Sequence, residues 1–243
     1  ALLLALAANA MASEPLPPFI YPGTVPASSW SAKWIGAKPA ADTKKQNLWT
    51  ACRKEFDLAA KPEKSIARIA VDSKYWLWVN GVLAVREGAL KRGPTPTDTF
   101  FDEVDLAPHL KQGKNTVAIL VWYFGKQGFS HKSSGKSGLL FQMVAGPEKV
   151  VSDSSWRAVV HPAYGDTEAP HPNNRLPESN IRYDAGKEIT GWEMPGFDAS
   201  AWAAAEELVD GDGLAAFVVD EEVFHGFHQD GTGVAEFKDG AGV

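Results

Sequence analysis

The chain contains one dipeptide that constrains its folding more than any other, Asn80-Gly81, which separates the β-rich runs 75–79 (YWLWV) and 82–86 (VLAVR). An Asn-Gly pair between two such runs predicts a β-hairpin, because a type I′ turn requires positive φ at both of its central residues. We therefore expect two antiparallel strands that are joined by a two-residue turn.

Short β-rich runs also occur along much of the remaining chain, at 53–58, 66–71, 116–124, 139–144 and 156–160. Only two segments favour helical turns, Asp105–Leu110 and Asp198–Ala205, the second because an N-cap aspartate precedes good helix formers. Many short strands with few helices are typical of all-β proteins. The sequence thus predicts an antiparallel jelly-roll β-sandwich with short helical turns.

The ends of the chain differ in composition from the strand-rich middle. Residues 1–12 are an apolar run that ends in Ala10-Met11-Ala12, a pattern typical of the end of a signal peptide. Residues 13–29 are proline-rich and predict a linker, residues 30–205 predict the β-sandwich module, and residues 206–243 predict an acidic tail or the start of another module. We expect a secreted bacterial protein, periplasmic or extracellular, since exported domains of this kind with few cysteines are more typical of bacteria than of animals.

Charge and cysteine content exclude several classes of protein. The formal net charge is −6, and the basic residues are dispersed, whereas nucleic-acid binding usually requires a concentrated basic face. The apolar run at the start is too short to span a bilayer as a helix, so we expect no membrane partner. Cys52 is the single cysteine, which excludes a disulfide within the chain and favours a plain strand residue over a reactive thiol.

The acidic residues do not single out a catalytic pair. Glycoside hydrolysis requires two carboxylates at a defined separation across the sugar, and no spacing among the 30 acidic residues indicates one. We therefore expect none of the residues of this chain to be catalytic. An oxygen-rich cluster formed by Asp98, Asp102, Glu103 and Asp105 makes calcium a possible ligand, with a solvated sheet edge as the alternative. No other cofactor is indicated.

A polar segment rich in aromatic residues is the best candidate for ligand contact. Residues 87–102 carry Lys91-Arg92 and two prolines, and with 122–126 and 128–131 they could form an aromatic-walled rim. Sugars stack on aromatic rings and accept hydrogen bonds from charged side chains. The candidate ligand-binding residues are Arg92, Asp98, Trp122, Tyr123, Lys126 and His131. The alternative is that these aromatic residues pack in the core and Arg92 forms a structural ion pair.

Five stretches resemble the N-terminal β-sandwich, a galactose-binding-like jelly roll, of bacterial α-L-rhamnosidases. They are YWLWVNG (75–81), EGALKRGPTP (87–96), FFDEVDLAPHLKQGKNTVAILVWYFGKQGFSH (100–131), SSGKSGLLF (133–141) and YDAGKEITGWEMPGFDASAWAAA (183–205). The resemblance covers about residues 30–205. Its most specific part runs from the KRGP sequence to FSH.

The resemblance implies a function for the whole enzyme rather than for this part. Inverting hydrolysis of terminal α-L-rhamnosides would take place in a separate downstream (α/α)6 catalytic domain, and the ligand would be a rhamnose-containing glycan. Some rhamnosidases also carry a calcium-dependent rhamnose-binding sandwich, whose site does not map residue by residue onto this chain. We therefore predict a non-catalytic module of a glycoside hydrolase. The alternatives are a stand-alone carbohydrate-binding module and a catalytic glycosidase domain.

Overall fold

The chain folds into two antiparallel sheets that pack face to face. The structure is a computed structural model that describes residues 21–22, 30–38, 45–88, 101–128, 131, 133, 135–166, 178 and 180–208. The first sheet has seven strands in the order β1-β7-β4-β9-β2-β15, with β10 paired to β9. Its strands are β1 (Tyr21–Pro22), β2 (Ile35–Gly36), β4 (Ile66–Asp72), β7 (Asp102–Asp105), β9 (Gly138–Ala145), β10 (Glu148–Val151) and β15 (Glu206–Glu207).

The second sheet has six strands in the order β14-β11-β3-β8-β5-β6. Its strands are β3 (Leu48–Leu58), β5 (Lys74–Val79), β6 (Val82–Gly88), β8 (Gly113–Tyr123), β11 (Arg157–Val160) and β14 (Ala203–Ala204). A separate two-stranded ribbon is formed by β12 (Tyr164–Asp166) and β13 (Ile181–Tyr183). Every strand pairing recorded in the described residues is antiparallel.

The hydrophobic core lies between the two sheets, as the alternating strand patterns require. Ile69 and Phe141 from the first sheet and Leu77 and Ile119 from the second belong to one cluster, and each is 0% exposed. Successive side chains point to opposite faces, so the residues between them face outward. The prediction of an all-β antiparallel sandwich is confirmed.

The Asn80-Gly81 hairpin is also confirmed. Asn80 has φ of 54° and Gly81 has φ of 82°, as a type I′ turn requires. The Asn80 amide donates to His109 O and to Asn115 Oδ1, each at 2.9 Å, and Asn80 Oδ1 accepts from Thr116 N–H at 3.0 Å. The turn residue thus also anchors the hairpin to the start of β8.

One of the two predicted helical turns is correct and the other is wrong. A 3-10 helix spans Ala107–His109, within the segment expected to form a turn. At Asp198–Ala205 there is no helix: Asp198 Oδ1 accepts from Ser200 N–H at 2.9 Å, and the chain then enters β14. Pairing of Ala203 and Ala204 with β11 overrides the local helical preference of this alanine-rich segment.

Cys52 lies inside the sandwich, where burial raises the pKa of its thiol to about 12. Because the thiolate is the reactive form, the thiol should not react with a disulfide reagent at pH 8 while the protein is folded. We expect about one equivalent of thiol to react in 6 M urea and almost none without denaturant, as followed by absorbance with Ellman's reagent. Rapid reaction of the native protein would contradict this burial.

Within the part of the chain that the structure describes, no helix has the length and apolar character needed to cross a membrane.

Candidate functional site

The outer face of the six-stranded sheet carries a layer of stacked aromatic rings. Trp49 stacks on Trp122 with ring centroids 4.7 Å apart and on Tyr164 at 4.2 Å, in both cases with rings 13° from parallel. Trp76 extends the layer, 5.5 Å from Trp49. We call Trp49, Trp76, Trp122 and Tyr164 the aromatic layer. Stacked aromatic rings of this kind stabilise a sheet face and also provide surfaces on which sugars bind.

Asn47 sets the orientation of two of these indoles. Its Oδ1 accepts from Trp122 Nε1 at 2.7 Å and from Trp49 Nε1 at 3.2 Å, and its amide donates to Asp166 Oδ1 at 2.7 Å. Asn47 itself is 5% exposed and has φ of 53°, a conformation that asparagine tolerates better than most residues. One buried amide therefore links β3, β8 and the ribbon.

Residues 184–202, which we call the strap, cover one half of this face. Trp192 and Trp202 are 4% and 7% exposed, and they pack on β3 and β8 as part of the cluster that contains Trp49 and Trp122. The strap has little regular structure, so its backbone groups need partners elsewhere. Arg53 supplies several of them, donating to Trp192 O at 3.1 Å, Phe197 O at 3.1 Å and Met194 O at 3.0 Å.

Glu188 joins the strap to the ribbon. Tyr183 Oη donates to Glu188 Oε2 at 2.6 Å, which raises the pKa of the tyrosine to about 12. His161 Nε2 lies 3.4 Å from Glu188 Oε1, while His161 Nδ1 accepts from Ala163 N–H at 3.3 Å. The proton of the neutral imidazole therefore lies on Nε2 and faces the carboxylate.

The other half of the outer face carries Lys74, whose ammonium lies 5.7 Å from the ring of Trp122 and 5.9 Å from that of Phe124. Two carboxylates flank this ammonium, Glu178 at 3.4 Å and Glu87 at 3.8 Å. Because Lys74, Trp76 and Trp78 alternate along β5, they share the outward face. All three are partly exposed, but Trp78 packs against Trp192 of the strap at 5.6 Å between ring centroids, so this half presents Lys74 and Trp76.

The structure separates the predicted ligand-binding residues. Trp122 and Tyr123 are 6% and 1% exposed, the first in the aromatic layer and the second on the opposite side of β8, so neither forms an open rim. Lys126 is partly exposed in the turn after β8. Arg92 and Asp98 lie outside the described residues, and ligand contact by the six residues stays a prediction.

His131, the sixth predicted residue, is 2% exposed and sits in a buried polar cluster. Its Nε2 lies 3.3 Å from Ser73 Oγ and 3.4 Å from Asp72 Oδ1. Ser73 Oγ donates to Asp72 at 2.6 Å, and Ser133 Oγ donates to the other oxygen of the same carboxylate at 3.3 Å. The serine proton therefore goes to the aspartate rather than to the histidine, which is the wrong order for a nucleophile and its base.

The described acidic residues proposed for calcium each bind a protein group. Asp102 Oδ2 accepts from Tyr75 Oη at 2.8 Å, and Glu103 pairs with Arg68 at 2.7 Å. Asp105 Oδ1 accepts two backbone N–H groups, from Ser65 and Ala107. Among the described residues, no group of three or more His, Cys, Asp or Glu side chains is arranged to hold a metal ion.

Comparison with known proteins places this sandwich in a family. Residues 60–221 match the model of the Alpha-L-rhamnosidase N-terminal domain. The chain belongs to that family. The resemblance to the N-terminal β-sandwich of α-L-rhamnosidases, which residues 75–141 and 183–205 indicated, is therefore confirmed.

Individual relatives of the α-L-rhamnosidase N-terminal domain agree with this assignment. An α-L-rhamnosidase of Streptomyces avermitilis is 28% identical over 76% of this chain, which corresponds to 18% of that enzyme. An α-L-rhamnosidase of Alteromonas sp. (strain LOR) is 24% identical over 71% of the chain and 20% of the enzyme. The solved GH78 family rhamnosidase of Bacillus sp. GL1 has a TM-score of 0.66 and 29% identity, over 74% of this chain and 18% of its own. The chain thus spans about a fifth of the length of these relatives.

Proposed function

We propose that this chain is the non-catalytic N-terminal β-sandwich of a secreted α-L-rhamnosidase-type glycoside hydrolase. It supports a downstream (α/α)6 catalytic domain and helps to present rhamnose-containing glycans to it. The family match and the limited share of each relative that the chain spans support this assignment. Export from the cell is part of the proposal and is supported by the apolar run that ends at Ala10-Met11-Ala12.

The observation that carries the proposal is that the chain covers much of its own aromatic face. A glycosidase site is a cleft in which two carboxylates lie about 5–10 Å apart across the sugar. Here the strap covers part of the outer face of the six-stranded sheet, and Arg53 fixes it to β3 through three backbone carbonyls. Such packing suits a rigid supporting module better than a cleft that must open and close around a substrate.

Carbohydrate binding by the module itself is the second candidate. The partly exposed indole of Trp76 and the Lys74 ammonium, which share the outward face of β5, favour it, because sugars stack on exposed aromatic rings and bind charged groups through their hydroxyls. Titration of the chain with L-rhamnose, with and without calcium, separates the two roles. Saturable binding would favour the carbohydrate-binding module, and its absence would favour support alone.

The isolated chain should not hydrolyse an aryl α-L-rhamnoside. We expect the release of 4-nitrophenol from 4-nitrophenyl α-L-rhamnoside to equal the rate without protein, with an intact α-L-rhamnosidase as the positive control. Turnover that follows the chain through purification and disappears on a single Asp or Glu substitution would contradict the non-catalytic role.

The gene beyond the codon for Val243 should encode an α-helical barrel of several hundred residues, and an unrelated continuation would argue against the supporting role.

A further inference from the structure

A groove of about 290 Å³ lies where β3, β11 and the strap meet. The residues that matter for its chemistry are Arg53, Lys54, Glu55, Ser155, Arg157 and Phe197. This volume lies just below the range of about 300–1,000 Å³ for ligand pockets, so the largest occupant that it suits is a single monosaccharide unit. It is distinct from the aromatic layer, from the Lys74 cluster and from the six residues predicted from the sequence.

The groove is positively charged, with three cationic side chains and one carboxylate. Arg53 binds Glu55 at 3.0 Å, and Gly196 N–H donates to the same carboxylate oxygen at 3.0 Å. Burial alone would raise the pKa of the Glu55 carboxyl, but these two hydrogen bonds lower it below its ordinary value. Glu55 therefore stays ionised and is already paired. Lys54 and Arg157 have no carboxylate within 4 Å in the part of the chain that the structure describes.

The position of Arg157 is unfavourable for the fold. Arg157 and Arg53 are direct partners in the β3–β11 register, and like charges directly opposite each other destabilise an antiparallel pair. Arg53 is compensated by Glu55 and by the strap carbonyls. Arg157 is exposed and donates to Trp202 O at 3.2 Å, which leaves four of its five N–H groups available. An anion bound at Arg157 would offset this repulsion.

The other groups in the groove indicate the kind of anion. Lys54 Nζ donates to Ser155 Oγ at 2.5 Å, and this hydroxyl donates its own proton to Asp153 Oδ1. Near Arg157, Ser155 Oγ can therefore still accept a hydrogen bond from a ligand but cannot donate one. Phe197 adds a partly buried aromatic ring, which also lies 5.4 Å from the Arg53 guanidinium. A guanidinium group binds a carboxylate through two hydrogen bonds, and a serine hydroxyl hydrogen-bonds to a sugar hydroxyl. An aromatic ring packs against the apolar face of a sugar.

We propose that this groove binds a hexuronic acid unit of a glycan. Arg157 and Lys54 bind the sugar carboxylate, Ser155 Oγ accepts a hydrogen bond from a ring hydroxyl, and Phe197 packs against the pyranose. The proposal goes beyond the function proposed above and holds whether or not the module also binds rhamnose.

The test compares methyl β-D-glucuronide with methyl β-D-glucoside, two sugars that differ by the carboxylate. Binding to the full chain is measured by calorimetry and by NMR at low ionic strength. We expect saturable binding of the glucuronide. The dissociation constant of the glucoside should be at least about tenfold higher. Arg157→Ala should weaken glucuronide binding by about tenfold or more while leaving the unfolding midpoint unchanged or higher. Lys149→Ala, which removes an exposed cation from β10 in the other sheet, is the matched control and should change neither quantity.

Three results would overturn the proposal: equal affinity for the two sugars, no binding of either, or unchanged glucuronide affinity in Arg157→Ala. If Arg157→Ala lowers the unfolding midpoint, the arginine stabilises the fold, contrary to the argument from its position. Lys54→Ala then decides the binding question, since it also removes a cation from the groove. None of these results depends on rhamnoside hydrolysis. Failure of the uronic-acid proposal therefore leaves the proposed supporting function intact, and failure of that function leaves the uronic-acid proposal intact.

Discussion

Arg53→Ala should lower the free energy of unfolding by about 3–5 kcal/mol, because a backbone carbonyl that loses its donor in a buried site costs about 1–3 kcal/mol and three carbonyls are affected. The Arg53 side chain is 4% exposed and forms an ion pair with Glu55. It also donates to the carbonyls of Trp192, Met194 and Phe197. The substitution leaves these three carbonyls without their donor and releases the strap from β3. Urea denaturation followed by tryptophan fluorescence measures the loss, because Trp192 lies in the strap.

Lys54→Ala is the matched control for this experiment. It removes the neighbouring cation, which is partly exposed and has a single hydrogen bond, to the exposed Ser155 hydroxyl. We expect a loss below about 1 kcal/mol, as for most surface substitutions. Equal losses in the two variants would show that charge, and not the three carbonyl contacts of Arg53, holds the strap.

Gly88→Ala should destabilise the protein by about 3 kcal/mol, at the upper end of the range for overpacking a core. A Cβ at Gly88 would overlap the ring of Tyr75, its partner across β5 and β6. Tyr75 is 0% exposed, and its hydroxyl is fixed by the hydrogen bond to Asp102, so the ring has little freedom to move. The φ of Gly88 is not in the left-handed region, and the penalty therefore arises from the ring alone.

A double-mutant cycle tests this explanation. In a Tyr75→Ala background the added methyl group has space, and Gly88→Ala should cost less than about 1 kcal/mol. Gly113→Ala is the control: Gly113 has φ of 81° with nothing within 4 Å of its Cβ position, so its backbone penalty should be the same in both backgrounds. Additive losses for Gly88→Ala and Tyr75→Ala would contradict a clash between the two positions.

The parts of the fold that were predictable are those that local chemistry determines. Asn80-Gly81 specifies its own turn, because few other residue pairs adopt positive φ at both positions. The alternation of Lys74, Tyr75 and Trp76 likewise shows which side chains share a face of β5. Both features depend on neighbours within a few residues, and the sequence displays those neighbours directly.

The strap was not predictable in the same way. Asp198 and the alanines after it favour a helix locally, yet Ala203 and Ala204 pair with β11, and Trp202 packs against Trp192 with ring centroids 6.0 Å apart. The contacts of Arg53 connect it to residues 139 to 144 positions further along the chain. No short-range pattern reveals such partners, so the tether of the strap was missed.

For the candidate site, the sequence predicted the types of side chain but not their positions. A lysine does lie beside aromatic rings on one sheet face, but it is Lys74 over the buried rings of Trp122 and Phe124, and Trp122 and Tyr123 form no open rim. The periodicity of β8 is hydrophobic on both faces, which does not show that the strap covers one of them. Asn47, which orients two indoles, stands before a strand and has no distinctive sequence context.

The pairing of β2 with β15 brings positions near opposite ends of the sandwich onto adjacent strands: Ile35 lies opposite Glu207, and Gly36 lies opposite Glu206. Neighbouring antiparallel strands are only about 5 Å apart, so β2 and β15 lie side by side at one edge of the sheet, while β1 lies at the opposite edge. A unit that runs from Trp30 to Leu208 would have adjacent ends, and it could be spliced into a surface loop of a host protein without forcing the two sides of that loop apart. In that unit a short linker between Trp30 and Leu208 would also allow circular permutation, with new ends at a hairpin tip such as Asn80-Gly81.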